Sequence, residues 1–137
     1  MRIFLDTNVL ASGLMGHGLC HDLLDRILIE HTVLLGAPVY EELHRILTSK
    51  FRVPAELWRQ LESGLRAFEH APSVETPLNT PLPDSDDIPI LACALAAKAD
   101  VFVTGDKALL DLRMVEELPI LSPRQVWQRL SGLRLPP

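Results

Sequence analysis

Short apolar runs alternate along this chain with longer segments in which apolar residues recur at helical spacing. Four runs predict buried strands, at residues 2–5, 32–35, 101–103 and 118–121. Helical spacing predicts a helix through the segment around Leu23 and helices from four further starting points. Those starting points are Pro38, Pro54, Ile88 and Pro123. Strands and helices therefore alternate over most of the sequence.

Two segments have weaker patterns. The residues that follow the first strand contain Gly13, Gly16 and Gly18 and indicate a mixed segment without a clear element. Residues 71–83 are rich in proline and threonine, and they predict a short edge strand near Val74 followed by a loop.

The alternation predicts the fold class. Right-handed crossovers between parallel strands place helices on both faces of one sheet. We therefore expect a three-layer α/β/α sandwich with a central parallel sheet and Rossmann-like topology. The length of 137 residues suits a single domain over 1–137. In such sheets the ligand crevice lies at the carboxyl ends of the strands.

Composition and charge limit the function classes. Hydrophobic residues make up 47% of the chain, and the longest apolar stretch is too short to span a membrane, so we expect a cytoplasmic protein. Two cysteines without paired spacing predict reduced thiols. The net charge of −5 argues against binding polyanions over the whole surface. It still permits a nuclease with central carboxylates and a local basic rim, for which the candidates are Lys50, Arg52, Lys107 and Arg113.

Acidic residues follow two of the predicted strands. Asp6 comes directly after the first strand, and Asp106 comes just beyond the strand at 101–103. If those strands are neighbours about 4.8 Å apart, the two carboxylates converge on one crevice. Asp87 precedes a helix, where it could instead cap backbone amides, although Ser85 and Asp86 offer alternative caps.

The adjacent acids Glu41 and Glu42 are separated by helical geometry. Val39, Leu43, Ile46 and Leu47 define the buried stripe of their helix. Glu41 lies nearly opposite that stripe, whereas Glu42 lies on its flank and can reach the crevice. Carboxylates gathered in one crevice repel each other unless cations are present. Mg²⁺ or Mn²⁺ with oxygen ligands would resolve that conflict and could generate the hydroxide that attacks a phosphodiester.

Other chemistries have weaker support. His17 and His21 with Cys20 could bind zinc, but no matching second pair follows and an exposed loop is the preferred interpretation. A phosphatase with an aspartyl nucleophile would need an acid at position 8, which is Asn8. A receiver domain would need an acidic pair at the first strand. The tryptophans Trp58 and Trp127 recur with leucines, which predicts core or dimer contacts.

Four motifs in order make the chain similar to the PIN-domain family. They are Ile3-Phe4-Leu5-Asp6-Thr7-Asn8-Val9-Leu10, Glu42-Leu43-His44-Arg45-Ile46-Leu47, Asp84-Ser85-Asp86-Asp87 with the apolar helix after it, and Val103-Thr104-Gly105-Asp106-Lys107-Ala108-Leu109-Leu110. The sequence particularly resembles VapC-like toxins of bacterial and archaeal toxin–antitoxin pairs. Pro89, inside the first turn of the third motif's helix, is a distinctive departure.

The resemblance implies an Mg²⁺- or Mn²⁺-dependent endoribonuclease with an RNA substrate, a cognate antitoxin and a homodimeric state. It also implies 5′-phosphate and 3′-hydroxyl product ends. The family's catalytic and metal-binding acids map onto Asp6, Glu42, Asp87 and Asp106. Supporting roles fall to Thr7, Asn8 and Thr104, and Asp84 or Asp86 could share or replace the role of Asp87. The alternative is a PIN-like binding or regulatory module without turnover.

Overall fold

The computed structural model describes residues 1–132 as six strands with helices between them. The strands are β1 (Arg2–Leu5), β2 (Thr32–Gly36), β3 (Glu69–Ala71), β4 (Val101–Val103), β5 (Met114–Val115) and β6 (Leu118–Leu121). The helices are α1 (Thr7–Met15), α2 (Leu19–Glu30), α3 (Ala37–Arg45), α4 (Ala55–Gly64), α5 (Ile88–Ala96), α6 (Lys107–Leu112) and α7 (Pro123–Leu130). A π-helical turn (Ile46–Lys50) extends α3, and 3-10 turns occupy Leu65–Ala67 and Ser85–Asp87.

The sheet has the strand order β3-β2-β1-β4-β6-β5. Its first five strands are parallel, while β5 pairs with β6 antiparallel and forms one edge. Helices flank this sheet, so the predicted α/β/α class is confirmed. The sheet is mostly rather than wholly parallel because a short hairpin closes it. Because β1 and β4 are parallel neighbours at the centre of the sheet, their carboxyl ends, at Leu5 and Val103, lie side by side.

The predicted edge strand near Val74 is wrong. The edge strand β3 is formed five residues earlier, by Glu69–Ala71, and pairs with β2. Only Ala71 of this strand is buried, so its polar sequence lacks the apolar run that marks the other strands. The short elements α6 and β5 were also absent from the predicted pattern.

The glycine-containing segment after β1 is largely helical. Thr7–Met15 forms α1, which packs against α2. A Cβ atom at Gly13 would lie 3.0 Å from a methyl carbon of Leu24 and 3.2 Å from the backbone oxygen of Cys20. Gly13 therefore permits the close approach of two helices, although glycine lowers helix propensity.

The core is built from aliphatic side chains around one aromatic pair. The rings of Phe4 and Phe102 stack at the centre of the sheet with centroids 5.6 Å apart. Trp58 is buried in the core, as predicted, and Trp127 is half-buried beneath the guanidinium of Arg26. Both cysteines are free thiols. Across residues 1–132, none of the helices combines the length and the apolar character needed to cross a membrane.

Candidate active site

Asp6 directly follows Leu5, the last residue of β1. Its backbone amide donates to the carbonyl of Val103 at 2.9 Å, which continues the pairing of β1 with β4 by one residue. One carboxylate oxygen of Asp6 accepts from the amide of Thr7 at 2.8 Å, and the other accepts from the hydroxyl of Thr104 at 2.7 Å. The side chain is almost fully buried at 9% exposure. Asp6 is thus a fixed carboxylate at the carboxyl edge of the sheet.

The turn after β4 connects Asp6 to the second strand-end acid. The hydroxyl of the buried Thr104 also accepts from the amide of Asp106 at 3.0 Å. The exposed carboxylate of Asp106 then accepts from the amide of Ala108 at 2.8 Å and caps α6. One hydroxyl therefore sets the relative positions of Asp6 and Asp106.

The third acidic segment leads into α5. Asp84 accepts from the amide of Asp86 at 2.9 Å and caps the 3-10 turn. Asp87 occupies the N-cap position of α5, but no helix amide donates to its side chain. The carboxylate of Asp87 therefore does not cap the helix, and helix capping does not explain why an acid stands at this position.

Of the two adjacent glutamates on α3, the structure separates Glu42 from Glu41. Glu42 is half-buried on the flank of Leu43, and Glu41 is exposed. The charge of Glu42 is among those that raise the pKa of Asp87, and the charge of Glu41 is not. The helical argument for Glu42 therefore agrees with its position.

The pKa values show how closely the acids lie. Burial and then the charges of Asp6, Asp84, Asp106 and Glu42 raise the pKa of Asp87 from its ordinary value of 3.8 to about 6. Burial also raises the pKa of Asp6, and the charge of Asp106 adds to this, while the hydrogen bonds from Thr104 and Thr7 partly offset it. Four carboxylate charges thus contribute to the raised pKa of Asp87, and one contributes to that of Asp6.

The remaining supporting candidates differ in their surroundings. Thr7 is buried, and within residues 1–132 its hydroxyl has no hydrogen-bond partner. Asn8 is exposed in the first turn of α1, and Asp86 is exposed beside α5.

A cavity of about 480 Å³ lies between α3 and the start of α5, and we call it the acidic cavity. Its acidic lining residues are Glu41, Glu42 and Asp86. Arg45 and Ser73 also line it. The sequence pattern did not single out Ser73, because it lies in the irregular chain after β3 and carries no periodic or motif signal. Of the four predicted site acids the cavity reaches Glu42, whereas Asp6, Asp87 and Asp106 do not line it.

The fit to a metal ion rests on the chemistry of the donors. Across the part of the chain that the structure describes, no three His, Cys, Asp or Glu side chains are arranged to hold a metal ion. The acids around Asp87 nevertheless supply only hard oxygen donors, and their mutual repulsion favours a divalent cation. By the chemistry of their donors these residues fit a divalent cation that prefers oxygen ligands.

The exposed loop preferred for the His17, Cys20 and His21 segment is wrong for two of its residues, and within residues 1–132 no metal-binding group of three side chains includes them. Cys20 and His21 lie on α2 rather than in the expected loop, and only His17 precedes that helix. One ring nitrogen of His21 is 3.1 Å from the carbonyl of Gly13, and the other is 3.5 Å from the carboxylate of Asp25. His21 is therefore engaged in fixing the junction of α1 and α2.

Known proteins resemble this chain in family and fold. The family described as PIN domain matches residues 2–108. No curated protein matches the chain. The crystal structure of VapBC2 from Rickettsia felis, bound to a DNA fragment from their promoter, is similar with a TM-score of 0.69 and 18% identity, over 89% of this chain and 98% of that chain. PAE2754 from Pyrobaculum aerophilum is similar with a TM-score of 0.61 and 16% identity, over 96% and 90%. At these identities the structural likeness shows the fold.

Proposed function

This chain belongs to the PIN-domain family, and on that premise we propose that it is a divalent-metal-dependent endoribonuclease. PIN domains are generally nucleases. The observation that carries the proposal is the set of charges around Asp87. Carboxylates from β1, α3, the segment before α5 and the turn after β4 all act on this one side chain. Four separate chain segments that converge on a repulsive cluster indicate a site for cations rather than a structural contact.

We assign the metal-holding role to Asp6, Glu42, Asp87 and Asp106, with Asp84 and Asp86 as alternatives or additions within the third acidic segment. A bound Mg²⁺ or Mn²⁺ would supply Lewis acidity, which activates water and neutralises charge at a phosphodiester. Asp87 is suited to this role because no amide engages its carboxylate. Its raised pKa also means that cation binding and proton binding compete at this group near pH 6.

The residues beside the acids hold them in place. Thr104 donates to Asp6 and accepts from the amide of Asp106, so its hydroxyl keeps one carboxylate oxygen of Asp6 oriented. The amide of Thr7 holds the other oxygen and favours the ionised form. These two hydrogen bonds oppose the rise that burial causes in the pKa of Asp6. Thr7 and Asn8 can also orient water or substrate through their side chains.

We further propose that the protein is the toxin of a toxin–antitoxin pair. The similar VapBC2 structure is a complex bound to promoter DNA, which supports an antitoxin as the partner of this chain. Under this proposal the protein is cytoplasmic, its substrate is RNA, and it acts as a homodimer. The partner and the assembly rest on the family and on the fold.

The first experiment is cleavage of total RNA by purified protein, with Mg²⁺, with Mn²⁺ and with EDTA. The wild type should cut only with a divalent metal, and Asp6→Asn should lower the rate by more than about 100-fold, since even groups that only orient metal ligands cost up to that factor. Asp111→Asn is the matched control, because this aspartate is exposed on α6 and belongs to none of the four motifs. Its rate should stay at the wild-type value.

Two results would contradict the proposal. Cutting by Asp6→Asn as fast as by the wild type would mean that the assigned site is wrong. Absence of cutting together with absence of Mn²⁺ binding in calorimetry would favour the PIN-like binding or regulatory module without turnover.

A further inference from the structure

A second, larger cavity lies on the other side of α3 from the acidic cavity, and we call it the basic cavity. Its volume is about 870 Å³. Helices α3 and α4, the 3-10 turn after α4 and the edge strand β3 all contribute to its walls. The lining residues with polar or charged side chains that matter here are Tyr40, Arg59, Glu62, Arg66 and His70.

Two guanidinium groups dominate the charge of this cavity. Arg59 lies on α4 and Arg66 on the 3-10 turn that follows it, and both line the cavity. Both side chains are exposed, and within residues 1–132 neither makes an ion pair or a hydrogen bond. His70 adds a third nitrogen-bearing side chain from β3.

Two carboxylates near these arginines in the chain have partners. Glu69 pairs with Arg2, and the alternation of side chains along β3 directs it away from its neighbour His70. Glu62 accepts a hydrogen bond from the hydroxyl of Tyr40 and lines the basic cavity together with it. The lining therefore carries two guanidinium groups against the one carboxylate of Glu62, and this excess of positive charge is available to an external anion.

The basic cavity adjoins the acidic cavity across the start of α3. At three places along the chain, a residue that lines the basic cavity is followed directly by a residue that lines the acidic cavity. The neighbouring positions are 37–38, 40–41 and 72–73. A polymer that enters the acidic cavity beside Glu42 can therefore continue into the basic cavity without leaving the surface.

We propose that the basic cavity binds a backbone phosphate of the RNA strand, at a nucleotide beside the one that is cut. The assignment rests on the proposed function, because it takes the acidic cluster as the place of cleavage. Guanidinium groups match phosphate through paired N–H donors, so Arg59 and Arg66 are suited to this contact. The continuity with the acidic cavity favours the substrate strand over an acidic segment of a protein.

The size of the effect follows from counterion release. For single strands each neutralised phosphate contributes about 0.7 to the slope of log affinity against log salt. Loss of this one phosphate contact should make that slope shallower by about 0.7 and weaken binding about fourfold at roughly 0.15 M salt.

The experiment measures binding of fluorescent oligouridylate by anisotropy, over a range of salt concentrations with Mg²⁺ present. All proteins carry Asp6→Asn so that the strand stays intact. The test variant is Arg59→Gln with Arg66→Gln. The matched control is Arg124→Gln with Arg129→Gln, which removes the same charge from exposed positions of α7. Thermal unfolding of each protein checks that the fold is kept.

We expect the test variant to show the loss of about fourfold and the shallower slope, and the control to bind as the parent does. Equal affinity of the test and control variants would overturn the proposal. An equal loss of affinity for polyglutamate would also overturn it, because the cavity would then respond to any polyanion. Cleavage by the wild type is scored separately. If cleavage is absent but binding still depends on the two arginines, the proposed function fails and the phosphate site remains.

Discussion

Replacement of Asp87 by Asn should stabilise the metal-free protein while it removes activity. The charged form of Asp87 is disfavoured in the folded state by burial and by the surrounding carboxylates, which raise its pKa from 3.8 to about 6. Below the pKa of Asp87 in the unfolded state, both the folded and the unfolded chain hold the proton, and the folded state loses no stability. As the pH rises from about 4 to about 6, the unfolded chain releases its proton first, so the fold loses stability in that window. Above it the loss is complete.

The magnitude follows from the shift of about two pKa units. For a fully enclosed group this corresponds to about 3 kcal/mol. Asp87 is only half-buried, and solvent screening reduces the figure to about 1 kcal/mol. No helix amide donates to this side chain, so the substitution removes repulsion without removing a cap. Asp87→Asn should therefore raise the free energy of unfolding by about 1 kcal/mol above pH 7.

The assay is urea unfolding in EDTA at about pH 7.5 and about pH 4.5, with Asp111→Asn as the control. The stabilisation of Asp87→Asn should shrink to about one third at the lower pH, because the folded wild type is then protonated. The control should change by less than about 0.5 kcal/mol at both values. Mg²⁺ at about 100 times its dissociation constant should add about 2.7 kcal/mol to the wild type and reverse the order. Equal stability of wild type and Asp87→Asn at the higher pH would refute the reasoning.

Two further predictions concern single side chains of the site. Glu42→Gln should abolish RNA cleavage while Glu41→Gln leaves it unchanged, because only Glu42 acts on the acidic cluster; equal rates for the two variants would contradict the choice. Thr104→Val should lower the free energy of unfolding by about 1–3 kcal/mol, since its hydroxyl serves both Asp6 and the amide of Asp106. The same variant should shift the acidic limb of the cleavage–pH profile upward, because that hydrogen bond lowers the pKa of Asp6; an unchanged profile would show that the bond does not tune this carboxylate.

The fold was predictable where burial leaves a clear pattern. Short apolar runs predicted the buried strands β1, β2, β4 and β6, and all four are present. Helical apolar spacing with a proline at or near the first turn predicted α3, α4 and α7, which are also present. The pattern failed where tertiary contacts replace it. Helix α1 was not predicted because it contains Gly13. This glycine leaves room for the side chain of Leu24 on α2, a contact that the sequence pattern does not show. The edge strand β3 carries two exposed polar residues and gives no strand signal.

The site was predictable in part for a similar reason. Strand ends and helix starts can be located from apolar runs, so Asp6, Asp87 and Asp106 could be placed at one edge of the sheet. The hydroxyl of Thr104 as a shared partner, and the lack of a capping role for Asp87, depend on side-chain geometry that no spacing reveals. The arginines of the basic cavity belong to no motif, and only the packing of α4 against β3 and α3 brings them together.

The central position of β1 has a consequence for synthesis on the ribosome. This strand is made first, yet its partner β4 is about one hundred residues away, and the hydrogen bond between Asp6 and Thr104 joins positions 98 residues apart. Chains emerge from the amino terminus onward, so the site cannot assemble until most of the domain has been translated. A nascent or prematurely terminated chain therefore carries the acids of the first two motifs without the arrangement that activity needs. Under the proposed function, this order protects the message and the ribosome that are producing the chain.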